Sequence, residues 1–332
     1  ALAGDLYRGQ RRARAMGILE ASNGLGKVVS PILGSAAALL AWNAPFYVYP
    51  LLAWLSAAGV WLWVSESEAG RRARPFREYV RELGRIFADR GVALAVAFFM
   101  GAAVLFMLFG VLSWYSDVLE RSHGITGFTK GFVIAVPVLV MAVTSWLTGT
   151  YLTERLRRWL KHVAIGGMGL IATALATLYA VRGPVPLTLV VSLLGFGNGL
   201  VLPVLNTLIT SAAATGERGL VTSLYGTVRF FGAALGPPAF GLLLEAGPLW
   251  MFWGSAAVVA LIALAGAFWL DAARLLRAGT QPSGRAAAGG TRGRQNRKPP
   301  VADAQATRPK PDEPREPDNQ RVEPQPELAG RR

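Results

Sequence analysis

The amino-acid sequence predicts an all-α membrane protein: a bundle of eight transmembrane helices followed by a disordered C-terminal tail. Hydrophobic residues make up 52% of the 332 residues and charged residues only 16%. The mean hydropathy of +0.37 is too high for a soluble chain of this length. The apolar residues also cluster in stretches of about 20, the number that an α-helix needs to cross a bilayer.

These stretches define eight candidate spans in chain order. The predicted spans are residues 17–40, 46–64, 92–115, 129–152, 162–181, 186–211, 220–244 and 249–270. Between the second and the third span, residues 75–90 repeat apolar positions at helical spacing among Arg and Glu, which predicts an amphipathic helix on the cytoplasmic membrane surface. Residues 279–332 are rich in Pro, Gly, Arg, Gln and Glu, and this composition predicts disorder.

The distribution of basic residues predicts that both termini are cytoplasmic. Alternate loops carry sixteen Lys and Arg residues on one side of the predicted membrane and three on the other. Because cytoplasmic loops carry the excess of positive charge, the richer set of loops lies inside. The pI near 10.8 then reflects topology and anionic lipid rather than binding to nucleic acid.

One glycine–proline pattern occurs twice, 206 residues apart, within predicted spans. The copies of G-x-x-x-[GS]-P-x-x-x-[GS] contain Gly26, Ser30, Pro31, Gly34 and Ser35, and Gly232, Gly236, Pro237 and Gly241. Small residues allow membrane helices to approach closely, and proline removes a backbone donor and bends a helix. The repeat predicts a transporter built from two related halves, with these helices as a hinge or seal; ordinary small-residue packing is the alternative.

Few polar side chains fall inside the predicted spans, and they are candidates for a solute or proton pathway because intramembrane charges are costly. They are Glu20, Asn23, Lys27, Asn198, Asn206, Tyr225 and Arg229. The first three share one helix face. Lys27 lies about 15 Å along its helix, so it and Arg229 are expected to face an acidic partner or an anionic substrate. The two asparagines suit a cavity lining or buried helix contacts equally.

Three further features point to one known family. The first is the pattern around Pro31, in which Ser replaces Gly at positions 30 and 35. The second is the loop 150–158, TYLTERLRR, which resembles the G-x-L-x-D-R-x-x-R-R loop motif with Thr150 in place of Gly and Glu154 in place of Asp. The third is the stretch from Glu217 to Pro237. Together they resemble the major facilitator superfamily, and within it the bacterial 12-helix drug:proton antiporters.

This resemblance implies a major-facilitator-type bundle in which the chain supplies helices five to twelve and the first four are missing. The implied division is 1–64 for the last two helices of the N-terminal half, 65–91 for a cytoplasmic inter-domain loop, 92–272 for the C-terminal half and 273–332 for a disordered cytoplasmic tail. In the loop motif, Glu154, Arg155 and Arg158 suit a charge clamp on the inward gate. A simple positive-inside signal is an equal alternative.

The residues and the resemblance together predict a secondary transporter rather than an enzyme: proton-coupled efflux of small amphipathic compounds across the cell membrane. The chain has no cysteine, and the predicted spans lack the paired acids or histidines of an intramembrane enzyme. We expect no metal, cofactor or nucleic acid, and a monomer whose partners are a small-molecule substrate, protons and lipid. The alternatives are an exporter or symporter of an anionic metabolite, favoured by Lys27 and Arg229, and a truncated remnant that does not transport.

Overall fold

The computed structural model describes residues 9–63, 76–152, 155, 158–212 and 218–278. These residues belong to one compact unit within residues 1–283, and across them we find helices and no strand, which confirms the all-α prediction. The helices are α1 (Gly9–Ala38), α2 (Pro45–Trp63), α3 (Phe76–Arg121), α4 (Gly127–Leu147), α5 (Leu160–Leu178), α6 (Pro184–Ala212), α7 (Arg218–Ala246), α8 (Ser255–Trp269) and α9 (Ala272–Ala278). Two π-helical turns, Thr148–Leu152 and Trp250–Gly254, follow α4 and precede α8.

Seven helices of the described part are long and apolar enough to cross a membrane. They span residues 45–63, 91–123, 127–152, 160–178, 184–212, 219–246 and 250–269. Helix α1 has 30 residues and contains most of the remaining predicted span, 17–40. Most side chains of its first half lie outside the described residues, so its place in the membrane stays a prediction.

Helix α3 differs from its predicted counterpart because it runs unbroken for 46 residues. It joins the predicted amphipathic segment 75–90 to the predicted span 92–115. At about 1.5 Å per residue such a helix is about 69 Å long, more than the 40–45 Å of a bilayer with its headgroups. Most side chains before residue 91 lie outside the described part, so the surface position of this segment and the domain boundaries remain predictions.

Ordered structure also extends past the predicted start of the tail at residue 273. Helix α9 occupies Ala272–Ala278 and packs on α6. Leu275, an apolar residue of this short basic segment, reaches the core and is fully buried there. Residues 279–332, predicted to be disordered, lie outside the described residues.

The core of the described chain lies among α3 to α8. Helix α3 packs along α7, α4 and α5 pack on α6, and α8 lies against α5 and α3. Large side chains such as Leu94, Met100, Leu194 and Leu205 are fully buried between them. Helix α1 packs along α4, and α2 packs on α1 without burying any of its own residues. The six helices α3 to α8 therefore form the best-packed part of the structure.

Candidate functional site

The second copy of the glycine–proline pattern lies where α7 packs along α3. A β-carbon at Gly232 would lie 2.5 Å from the carbonyl oxygen of Ala102. A β-carbon at Gly236 would overlap the carbonyl oxygen of Phe106. Because backbone meets backbone at both positions, only glycine fits without a shift of one helix.

The remainder of this copy extends the same contact. The ring of Phe240 on α7 covers Gly110 of α3 and leaves no room for a side chain there. Pro237 is half-buried, whereas the Cβ position of Gly241 has no neighbouring atom within 4 Å among the described residues. The close contact therefore includes Gly232, Gly236 and Phe240 but not Gly241.

The first copy of the pattern lies on α1, where that helix packs along α4. A β-carbon at Gly131 of α4 would lie 2.5 Å from Oγ of Ser35 and 3.0 Å from the carbonyl oxygen of Pro31. At the other end of the copy, Gly26 has no atom of the described structure within 4 Å of its Cβ position. In this copy the proline and the last serine make the close contact, and the first glycine does not.

Helix α2 adds a polar contact to this copy. The hydroxyl of Tyr49 donates a hydrogen bond of 3.0 Å to the carbonyl oxygen of Ser30 and lies 3.1 Å from Oγ of the same serine. It also lies 3.1 Å from the Cβ position of Gly34. Sequence reasoning missed this contact, because a tyrosine in an apolar span does not show which helix its hydroxyl will meet.

A cavity of about 290 Å³ lies between α1 and α4, beside the first copy. Lys27 and Ser145 are its polar lining residues and Trp146 its aromatic one; the other lining residues of the described chain are aliphatic or glycine. Lys27 is the one predicted pathway residue that the structure places here. The cavity thus combines a cation with apolar walls, a combination suited to amphipathic molecules.

Tyr225 and Arg229 form a second polar feature, on α7. The guanidinium carbon of Arg229 lies 5.3 Å from the ring centre of Tyr225 and 5.1 Å from that of Phe230, within the range of cation–π attraction. Tyr225 is 1% exposed, with its hydroxyl against Gly101 and its ring 5.4 Å from that of Phe98. The four-residue spacing therefore brings this pair together, whereas the acidic partner or anionic substrate expected for Arg229 stays a prediction.

Two polar atoms of this pair, Oη of Tyr225 and Nε of Arg229, are buried and make no hydrogen bond of ordinary geometry with the described residues. The Tyr225 hydroxyl nevertheless lies close enough to the Arg229 guanidinium for the two side chains to interact with each other. A buried polar group left unsatisfied costs about 1–3 kcal/mol.

The two asparagines lie on α6, away from the lining of the α1–α4 cavity. Asn198 is fully buried, and its amide donates 2.8 Å to the carbonyl oxygen of Leu194 while Oδ1 has no partner in the described structure. The neighbouring Gly195 packs against the backbone of α4 and Gly197 against that of α5. Asn206 is half-buried. A role for either in solute passage stays a prediction.

Several predicted residues cannot be placed. The side chains of Glu20 and Asn23 and the whole of Glu154 lie outside the described residues. Arg155 and Arg158 are described and exposed. The charge clamp therefore remains a prediction, as does the pairing of Glu20 with a cation.

Polar contacts at the predicted outer end of the bundle were not anticipated from the sequence. Lys130 of α4 bridges to Glu120 of α3 at 2.5 Å, and Arg121 bridges to Asp117 at 2.7 Å. For the bridge between Lys130 and Glu120, the sequence did contain a signal, because the two residues carry opposite charges on either side of a short turn. Exposed bridges of this kind contribute about 0.2–1 kcal/mol, so the bridge between Lys130 and Glu120 joins α3 to α4 only weakly, and the bridge between Arg121 and Asp117 lies within α3.

Comparison with known proteins places the chain in a family. The family profile of the Major Facilitator Superfamily matches residues 1–237 and 161–304. The chain is 32% identical to the Bacillibactin exporter of Bacillus subtilis (strain 168) over 244 residues, 73% of this chain and 60% of that protein. It is 26% identical to the Multidrug efflux protein YfmO of the same organism, over 70% of this chain and 56% of that protein.

A third relative is the Bicyclomycin resistance protein homolog of Haemophilus influenzae, 26% identical over 79% of this chain and 67% of that protein. The chain thus spans about 60% of the length of the first two relatives. The profile match covers well over half of the chain, and seven apolar helices agree with it. The chain belongs to the major facilitator superfamily and is a multi-pass membrane protein.

Proposed function

We propose that the protein is a secondary active transporter that exports small amphipathic molecules by alternating access. The observation that carries this proposal is its similarity to proteins named for export, multidrug efflux and bicyclomycin resistance. The antiporter-like pattern around Pro31 supports the same direction of transport. Binding and release of a solute account for the function, so no catalytic step is required.

The contrast between two helix contacts supports a route for the conformational change. Helices α3 and α7 meet backbone to backbone at Gly232 and Gly236, so they move together. Helices α1 and α4 meet closely at Gly131 but leave the cavity beside Lys27. Because fewer packed atoms have to separate beside a cavity, this second contact opens at lower cost. Opening there admits a solute to Lys27 and the apolar walls, and closing excludes it.

Protons are the proposed coupling ion, and the cell membrane is the proposed location, with the protein a monomer and both termini in the cytoplasm. The excess of basic residues in alternate loops supports this orientation. Single-cysteine labelling tests it cleanly, because the chain has no native cysteine. A cysteine at exposed Gly84 should react only from the cytoplasmic side, and one at exposed Ser122 only from outside. The reverse pattern would overturn the orientation.

Export is tested in everted membrane vesicles that carry an imposed proton gradient. A panel of anionic, neutral and cationic amphipathic compounds is added, and transported members should enter the vesicles and dissipate the gradient. A proton ionophore should abolish uptake while ATP is kept high. Uptake that needs ATP, or movement driven in the opposite direction by the gradient, would overturn the proposal; the latter favours a symporter.

A further inference from the structure

We propose that Arg229 and Tyr225 bind an oxyanion of the transported solute, a carboxylate or a sulfonate carried on an aromatic or apolar body. This inference rests on the proposed function and names the chemical class of its substrate. It starts from two buried polar atoms, Oη of Tyr225 and Nε of Arg229, that no described residue satisfies. Both belong to one face of α7, one helical turn apart.

The chemistry of the two groups selects an anion. A guanidinium offers five donors in a planar fork and no acceptor, and it matches the two oxygens of a carboxylate. The Tyr225 hydroxyl adds a further donor. No described carboxylate lies within ion-pairing distance of Arg229, whereas Arg121 and Lys130 have acidic partners at the end of α3. Because the described contacts of Arg229 are with aromatic side chains, we assign its positive charge to a ligand.

The surroundings select an aromatic or apolar body for that anion. The guanidinium lies near the rings of both Tyr225 and Phe230. Phe230 is 60% exposed and Arg229 is half-buried, so a ligand can approach along this side of α7. On the other side, Gly101 of α3 lies against the hydroxyl and ring of Tyr225 and holds this side chain in place. The guanidinium thus lies between the exposed Phe230 ring and the Tyr225 side chain that packs on α3.

The test measures binding of 1-naphthoate by equilibrium dialysis of the detergent-solubilised protein, with neutral 1-naphthamide as the matched probe. Arg229→Gln should weaken naphthoate binding at least ~10-fold, and Tyr225→Phe, which keeps the ring, ~3-fold or more. Naphthamide binding should change less than ~2-fold in both variants. Arg121→Gln removes the same charge at an exposed position and should leave both probes unaffected.

Arg229→Lys is the control for misfolding, because lysine keeps the positive charge and lacks only the planar guanidinium. This variant should retain part of the naphthoate affinity. Equal binding of the two probes, or naphthoate binding unchanged in Arg229→Gln, would overturn the inference. The second result would show that Arg229 does not hold the anion. Arg229-dependent binding without gradient-driven export would overturn the proposed function and leave the inference standing.

Discussion

Helices α1 and α7 carry the same glycine–proline pattern, yet they pack in different ways. On α7 the two leading glycines face the backbone of α3, and neither has room for a β-carbon. On α1 the leading glycine, Gly26, has no described atom within 4 Å of its Cβ position, and among the described residues the close contact comes at Pro31 and Ser35, opposite Gly131. The pattern permits close approach, and the partner helix decides where the approach occurs.

The partners explain this difference. Helix α3 offers α7 a flat strip in which Ala102, Phe106 and Gly110 present backbone atoms. Helix α4 meets α1 closely at Gly131, and Leu139, Val143 and Trp146 of α4 line the cavity that remains between the two helices. The repeated pattern therefore gives α1 and α7 the same capacity for close helix packing. Helix α7 is closely packed against α3, whereas α1 leaves a cavity beside α4 that gives it space to move.

The largest expected effect comes from adding one methyl group to the close contact between α3 and α7. Gly236→Ala places a β-carbon on the carbonyl oxygen of Phe106, and overpacking of this kind costs about 1–3 kcal/mol. Thermal unfolding in detergent should show a lower Tm. The matched variant Gly26→Ala meets open space and gains helix propensity, so its Tm should stay or rise. Equal losses of Tm in Gly236→Ala and Gly26→Ala would show that the two copies of the pattern do not differ in packing.

A smaller effect is expected at the cavity, and it should appear in transport rather than in folding. Lys27→Ala removes the cation that lines the α1–α4 cavity, and we expect export to fall about 10-fold, equivalent to about 1.4 kcal/mol. Lys130→Ala is the matched control, since it removes a lysine from the outer-end bridge to Glu120. Equal transport rates in the two variants would show that the cavity does not serve the solute.

Adding a methyl group to α4 tests whether the loose contact moves. Gly131→Ala pushes against Ser35 and the carbonyl oxygen of Pro31; because the serine side chain can turn away, the cost should be about 1 kcal/mol. Export in vesicles should slow more than the Tm drops. A variant with a clearly lower Tm and an unchanged export rate would indicate that this contact is only structural.

The smallest effect is expected where α2 meets α1. Tyr49→Phe removes the hydroxyl that donates to the carbonyl oxygen of Ser30, and a hydrogen bond of this kind contributes about 0.5–1.5 kcal/mol. The contact is exposed, so the lower end of that range should apply to the measured Tm shift. Tyr47→Phe removes a hydroxyl from the same helix and serves as the control, with no shift expected.

The helices were predictable from sequence because each depends on its own apolar length and on glycine and proline at its ends. The pairing of Tyr225 with Arg229 was predictable for the same reason, since a four-residue spacing is local. The contacts between different helices were not predictable. The contact of Gly131 with Ser35 and that of Gly101 with Tyr225 both depend on which helices meet. The unbroken α3 was also missed, because an amphipathic segment and an apolar one can share one backbone helix.

The exposed tryptophans of helix α2 can serve as fluorescence probes of its surroundings. It places Trp54, Trp61 and Trp63 at positions that are 77%, 84% and 84% exposed, three of the ten tryptophans in the chain. Indole fluorescence is quenched by bromine atoms that come into contact with the ring. In vesicles made with brominated acyl chains, the part of the quenching that is lost when these three tryptophans are replaced by phenylalanine measures how much of α2 faces lipid. The chain thus contains its own spectroscopic probe of the surface that α2 presents.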